Sequence, residues 1–232
     1  MFNKLFQWLI HLFQSRKPDS NKVSTATAIL PNNSNSGVIG TTDLDPEKIN
    51  DKQTLNIKTM ITDEQLQQIY PQSLATNRAK YLPYFNQYLP EYEVTTPIRL
   101  WSYFAQIGHE SGQLRYNKEI ASGQAYEGRK DLGNTEPGDG VRFKGRGLIQ
   151  ITGRSNYQAI SNSFGVDFIS QPELLETPDY AVKSTFWFWK NNGLNTIADT
   201  GDFVKLTRRI NGGLNGLADR QAIFDRCKIY LV

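Results

Sequence analysis

A chain of 232 residues with 38% hydrophobic and 12% aromatic side chains can bury the core of one good-sized domain and still carry appendages. Its net charge of +3 resides in residues 1–17, where Lys4, Arg16 and Lys17 stand with no acid; the 23 basic and 23 acidic side chains that follow cancel, and a neutral body excludes the basic face of a nucleic-acid binder. A single cysteine, Cys227, excludes an intramolecular disulfide.

In chain order, the first predicted element is an amphipathic helix over residues 1–17. Phe2, Leu5, Phe6, Leu9, Leu12 and Phe13 share one face, and Asn3, Lys4, Gln7, His11 and Gln14 the other. The apolar stretch is interrupted and falls short of the ~20 residues a membrane span needs. It reads as a helix lying on an anionic membrane surface. Packing on the enzyme or on a partner chain is one alternative. A secretory signal is another, although Gln7 and His11 break its apolar centre and no small-residue cleavage site follows closely. Residues 18–57 read as a flexible polar linker, rich in turn formers such as Pro31-Asn32-Asn33-Ser34-Asn35-Ser36-Gly37. By random-coil scaling such a tether reaches on the order of 35 Å.

The catalytic region is expected over residues 58–232. Thr62-Asp63-Glu64-Gln65-Leu66 has the form of a capped helix start, and apolar residues from Ala75 to Tyr88 recur at helical spacing. Thr96 and Pro97 open a further helix whose Trp101, Phe104, Ala105 and Gly108 face a core, and Gly112 stops it. Strand-like material is expected around Tyr116–Ala121 and Leu148–Ile151, with an exposed turn at Pro137-Gly138-Asp139-Gly140. Helices follow at Asp179–Lys190, where Trp187 and Trp189 read as core before sugar platform, and at Asp202–Ile210, closed by Gly212-Gly213. Leu217, Phe224 and Leu231 form a terminal helical pattern on which Cys227 packs as a small apolar group.

Two glutamates, Glu110 and Glu119, stand nine residues apart, just upstream of the glycine- and arginine-rich run Arg142 to Thr152. Cleaving a sugar–sugar bond requires one carboxyl that gives a proton to the leaving oxygen and another, ionised, that activates water. Glu110 falls in the last turn of its helix, where unpaired carbonyls favour the protonated carboxyl of a general acid. Glu119 lies beyond the Gly112 break. Glu127, Asp131, Glu136 and Asp139 are rival candidates for the base, and Arg129, Arg142 and Arg146 either hold a carboxylate or solvate a loop. His109-Glu110 begins like a zinc-protease helix, but Gln113 occupies the position of the second histidine, so no metal or other cofactor is expected. Gly145-Arg146-Gly147 lacks the spacing of a phosphate loop.

These residues resemble glycoside hydrolase family 19, the chitinases and their relatives among phage and bacterial lysins. The resemblance is carried by Phe104 to Ser111, Glu119, Tyr126-Glu127-Gly128-Arg129, Phe143 to Thr152, Asn156-Tyr157, Ile210-Asn211-Gly212-Gly213 and Ala218-Asp219-Arg220, in the family's order. It implies a mainly helical, lysozyme-like α+β fold with two lobes and a substrate cleft. It also implies Glu110 as general acid, Glu119 as general base and Thr152 as a holder of the attacking water. Gln150, Asn156, Tyr157, Asn211 and Arg220 match positions that line the sugar or orient the acids. An inverting family implies carboxyls roughly 6.5–9.5 Å apart. The expected reaction is endo-acting hydrolysis of β-1,4 bonds in an N-acetylglucosamine polymer, with peptidoglycan as substrate ahead of chitin. Plant members carry disulfides, which one cysteine forbids, so a protein made in a bacterial cytoplasm and acting in the periplasm or cell wall is expected. The contrasting expectation is a membrane-disrupting protein whose globular part merely binds glycan.

Overall fold

The computed structural model describes residues 61–231. The helix expected over residues 1–17 and the linker over 18–57 lie outside the described residues. The helices are α1 (Asp63–Ile69), α2 (Ala75–Glu91), α3 (Pro97–Glu110), α4 (Asp139–Arg142), α5 (Arg154–Phe164), α6 (Pro178–Asn191), α7 (Leu194–Asp199), α8 (Phe203–Asn211) and α9 (Leu217–Tyr230). Short 3-10 turns occur at Gln124–Tyr126, Lys130–Leu132 and Pro172–Glu176.

Local chemistry accounts for several boundaries. The Thr62 hydroxyl accepts from the Gln65 amide while the Gln65 side chain accepts from the Thr62 amide, a reciprocal cap that starts α1. The Asp202 side chain accepts from the Lys205 amide to start α8, and Gly212, at φ 74°, ends it. Pro97 opens α3 as expected, although the Thr96 side chain makes no capping bond.

α3 is the central helix. Tyr103 stacks on Phe186 of α6 with ring centroids 4.5 Å apart, and Phe104 meets Phe85 of α2 edge-on at 5.3 Å. The Tyr70 hydroxyl donates to the Phe104 carbonyl at 2.6 Å, so this phenol enters the core with its polar end satisfied. α9 packs along the other side of α3. There Gly108 is required: a Cβ on it would come 2.3 Å from the Tyr70 ring and 3.1 Å from Ile223 of α9. Trp187 and Trp189 are buried core residues, as is Cys227, whose thiol burial pushes well above its ordinary pKa.

Three expectations require revision. Among the described residues no regular strand forms: Lys118 pairs with Arg146 and Arg146 with Ile151 as isolated antiparallel bridges. Arg146 and Ile151 exchange both backbone bonds, at 3.1 and 2.7 Å, across a loop that reverses at Gly147 (φ 77°) and Gln150 (φ 57°), leaving no room for a ladder to extend. The Pro137–Gly140 turn is exposed at its start, but Asp139 and Gly140 are buried and begin α4. Finally, α5 and α7 were not anticipated. Tyr157, Ile160 and Phe164 have the helical period, but five Ser and Asn residues of low propensity surround them in α5, and α7 is only six residues long.

Candidate active site

Glu110 ends α3, and its side chain is 6% exposed. The Arg220 guanidinium, fully buried on the first turns of α9, donates to Glu110 Oε1 at 2.5 Å and to Gln106 Oε1 at 2.6 Å. Gln106 lies one turn before Glu110 and in turn donates to the Thr207 hydroxyl of α8 at 3.0 Å. Three helices thus fix one carboxyl, and a buried charge has the counter-charge it needs. Beside this cluster, His109 Nδ1 lies 2.6 Å from Asp219 Oδ2. The ring occupies space that a side chain at Gly216 would fill, since a Cβ there would lie 2.1 Å away.

Glu119 is held from another direction. Its amide donates to the Gly145 carbonyl at 2.9 Å, and the Gly145 amide donates back to Oε2 at 3.2 Å. The Tyr126 hydroxyl donates to Oε1 at 2.9 Å. Burial, then the Glu119 charge and hydrogen bond, raises the Tyr126 pKa well above its ordinary value, so the phenol remains a donor. Gly145 and Gly147 are therefore where backbone approaches backbone: Gly145 meets Glu119, and the Gly147 amide donates to the Asn117 carbonyl at 2.8 Å.

The same loop carries Gln150 and Thr152, α5 carries Asn156 and Tyr157, and Asn211 ends α8. The Thr152 hydroxyl donates to the Gln150 carbonyl at 2.9 Å, which leaves its oxygen lone pairs available to accept, and Asn156 Nδ2 donates to the Thr152 carbonyl at 2.7 Å. Gln150 Nε2 donates to the Gly147 carbonyl, while Gln150 Oε1 and Asn211 Oδ1 are buried with no protein partner. Buried amide oxygens of this kind are costly unless a ligand or water supplies a donor. Tyr157 is placed differently. It is fully buried, its hydroxyl donating to the Lys144 carbonyl at 2.7 Å and accepting from Arg146 at 3.0 Å, so it supports the loop from beneath.

Three of the four rival carboxylates are engaged elsewhere. Glu127 accepts from the Gly138 and Gly140 amides at 2.6 and 2.8 Å and clamps the turn before α4. Asp131 pairs with Arg129, and Glu136 is exposed. Asp139 is buried against Arg154, whose hydrogen bonds hold its carboxyl below the usual range. A depressed folded-state pKa contributes stability above the ordinary Asp value of about 3.9 that is lost as pH falls through the folded value. Arg154→Met is therefore expected to lower stability in denaturant titrations at pH 7 and to lower it progressively less as pH falls below the ordinary Asp value; a loss that does not shrink with falling pH would show that the ion pair is not responsible.

Sequence reasoning missed Glu176, Lys118, Gln106 and the role of Tyr126. Glu176 ends a Pro172–Glu176 turn 57 residues beyond Glu119, and no local pattern links the two. Among the described residues, no three His, Cys, Asp or Glu side chains group as metal ligands, and no helix is long and apolar enough to cross a membrane.

Residues 99–199 match the family described as Chitinase class I of the glycoside hydrolase 19 group. A glycosyl hydrolase family 19 domain-containing protein of Haemophilus influenzae is 40% identical over 112 residues, 48% of this chain and 51% of that protein. An endochitinase of Arabidopsis thaliana is 35% identical over 128 residues, 55% of this chain and 44% of that one. The chain thus spans about half the length of the curated relatives it matches. Chitinase C from Streptomyces griseus shares the fold, with a TM-score of 0.59 at 23% identity over 75% of this chain and 77% of that chain.

Proposed function

We propose, from the premise that residues 99–199 belong to glycoside hydrolase family 19, that this chain is an endo-acting, inverting glycosidase of β-1,4 bonds in an N-acetylglucosamine-containing polymer. The observation that carries the reading is the pair of separately held carboxyls within the matched segment. Glu110 is fixed by Arg220, and Glu119 by Tyr126 and Gly145. In this mechanism the substrate lies in a cleft between two lobes. Glu110, paired with Arg220 in the free protein, takes up a proton before the reaction and gives it to the glycosidic oxygen as that bond breaks. Glu119 takes a proton from a water that attacks the anomeric carbon from the opposite face. The Thr152 oxygen accepts a hydrogen bond from that water, and Gln150 Oε1 and Asn211 Oδ1 accept from sugar hydroxyl or amide groups. Asn156 fixes the Thr152 backbone, while Arg220 orients the acid and neutralises it once the proton has left.

Peptidoglycan is the substrate we propose, with synthesis in a bacterial cytoplasm, action in the periplasm or cell wall, and contact with the inner membrane surface through residues 1–17. The lone cysteine and the amphipathic pattern of the first residues support this. Chitin is the second reading, favoured by the plant endochitinase among the relatives. Purified peptidoglycan and chitin oligomers, digested in parallel with mass and anomer analysis, separate the two. Release of α-anomeric reducing ends from peptidoglycan is expected; release from chitin alone would transfer the assignment, and an anhydro-sugar product would exclude hydrolysis. Lysis of whole cells by Glu110→Gln without reducing-end release would instead favour a membrane-disrupting protein.

A further inference from the structure

We infer that Glu176 is a positioning residue for Glu119, acting through Lys118 and Asn117; the inference rests on the reading of Glu119 as the base. Glu176 ends the turn before α6 and is 24% exposed, yet it anchors the segment bearing Glu119 at two points. Its carboxylate bonds Lys118 Nζ at 3.0 Å, and its carbonyl accepts from Asn117 Nδ2 at 2.7 Å. The same carboxylate accepts from Arg146 Nε at 2.7 Å. Arg146, whose side chain is 9% exposed, also donates to the Arg142 carbonyl and the Tyr157 hydroxyl. The Glu119 backbone and carboxylate close on Gly145, immediately before Arg146, and the Asn117 carbonyl closes on Gly147, immediately after it.

Glu176 is therefore the group shared by both edges of the contact that places Glu119: the 117–119 segment on one side and the 145–147 loop on the other. Burial opposes its charge, but hydrogen bonds from Lys118 and Arg146 outweigh that and hold the carboxyl below its ordinary pKa, so it stays ionised between two cations. The segment it tethers is short and bridged to the loop by one isolated antiparallel pair, Lys118 with Arg146, with no strand ladder to hold the carboxylate in register.

In the full chain, Glu176→Gln is expected to lower kcat about ten- to a hundredfold with KM changed by less than about twofold, the signature of a displaced reacting group. Lys118→Met, at a side chain 46% exposed, is expected to lower kcat several-fold while leaving the thermal unfolding temperature unchanged, which a merely structural role would not produce. If Glu176→Gln does not fold, Lys118→Met decides alone. Glu119→Gln is measured alongside. Wild-type kcat in Glu119→Gln would overturn the base assignment itself. An inactive Glu119→Gln beside folded Glu176 and Lys118 variants with wild-type kcat would overturn the positioning role alone.

Discussion

Glu110→Gln is expected to lower kcat on soluble oligomers by about 10²–10⁴-fold, the contribution of a positioned general acid, with KM changed far less. Glutamine preserves the volume and the Oε1 acceptor that faces Arg220, so the end of α3 keeps its shape. The guanidinium, however, is fully buried and loses its counter-charge. A measurable fall in thermal stability should therefore accompany the loss of activity, and circular dichroism is needed to show that the protein assayed is folded. Retention of even a tenth of the wild-type kcat by the folded variant would remove Glu110 from the role of acid.

The second large effect is expected at Arg220. Arg220→Met exchanges a fully buried guanidinium for an apolar chain and leaves Glu110, 6% exposed, and the buried Gln106 oxygen without their donor. Removing one partner of a buried ion pair costs about 3–5 kcal/mol. In a domain of this size that corresponds to a fall in Tm on the order of 10 °C. Arg220→Lys retains the charge but not the forked geometry that reaches Gln106 and Glu110 together, and should fall between wild type and Arg220→Met. An unchanged Tm in Arg220→Met would mean that the bond does not stabilise the fold. An unchanged kcat in the folded variant would mean that Glu110 needs no partner.

These two residues illustrate what is legible in a single chain. The end of α3 at Glu110 follows from Pro97 at its start and the Gly112 break, signals confined to a few residues. So do the reciprocal cap at Thr62 and the stop at Gly212. Helix α5 shows the limit of such signals, because Ser and Asn obscure a period that burial of Tyr157 and Ile160 enforces. Neither segment read as a strand extends a ladder: Tyr116–Ala121 pairs only at Lys118, and Leu148–Ile151 is mostly turn, because two positive-φ residues within Gly147–Gln150 return the chain at once. Tyr157 matched a substrate-lining position by motif, and its hydroxyl is instead consumed beneath the loop by Lys144 and Arg146.

The amino-acid order by itself determined the helical character of the domain, the two carboxyls proposed for catalysis and the absence of a disulfide. Each of these depends on residue type, on count, or on spacing within a few turns of chain. Only the tertiary structure decided which charges face one another. Arg220 reaches Glu110 across 110 positions, Glu119 is closed on Gly145 across 26, and Glu176 bridges to Lys118 across 58. Hydrogen bonds and ion pairs act over a few ångströms in space and are indifferent to separation along the chain, so the partner that fixes each carboxyl is chosen by helix packing and loop closure.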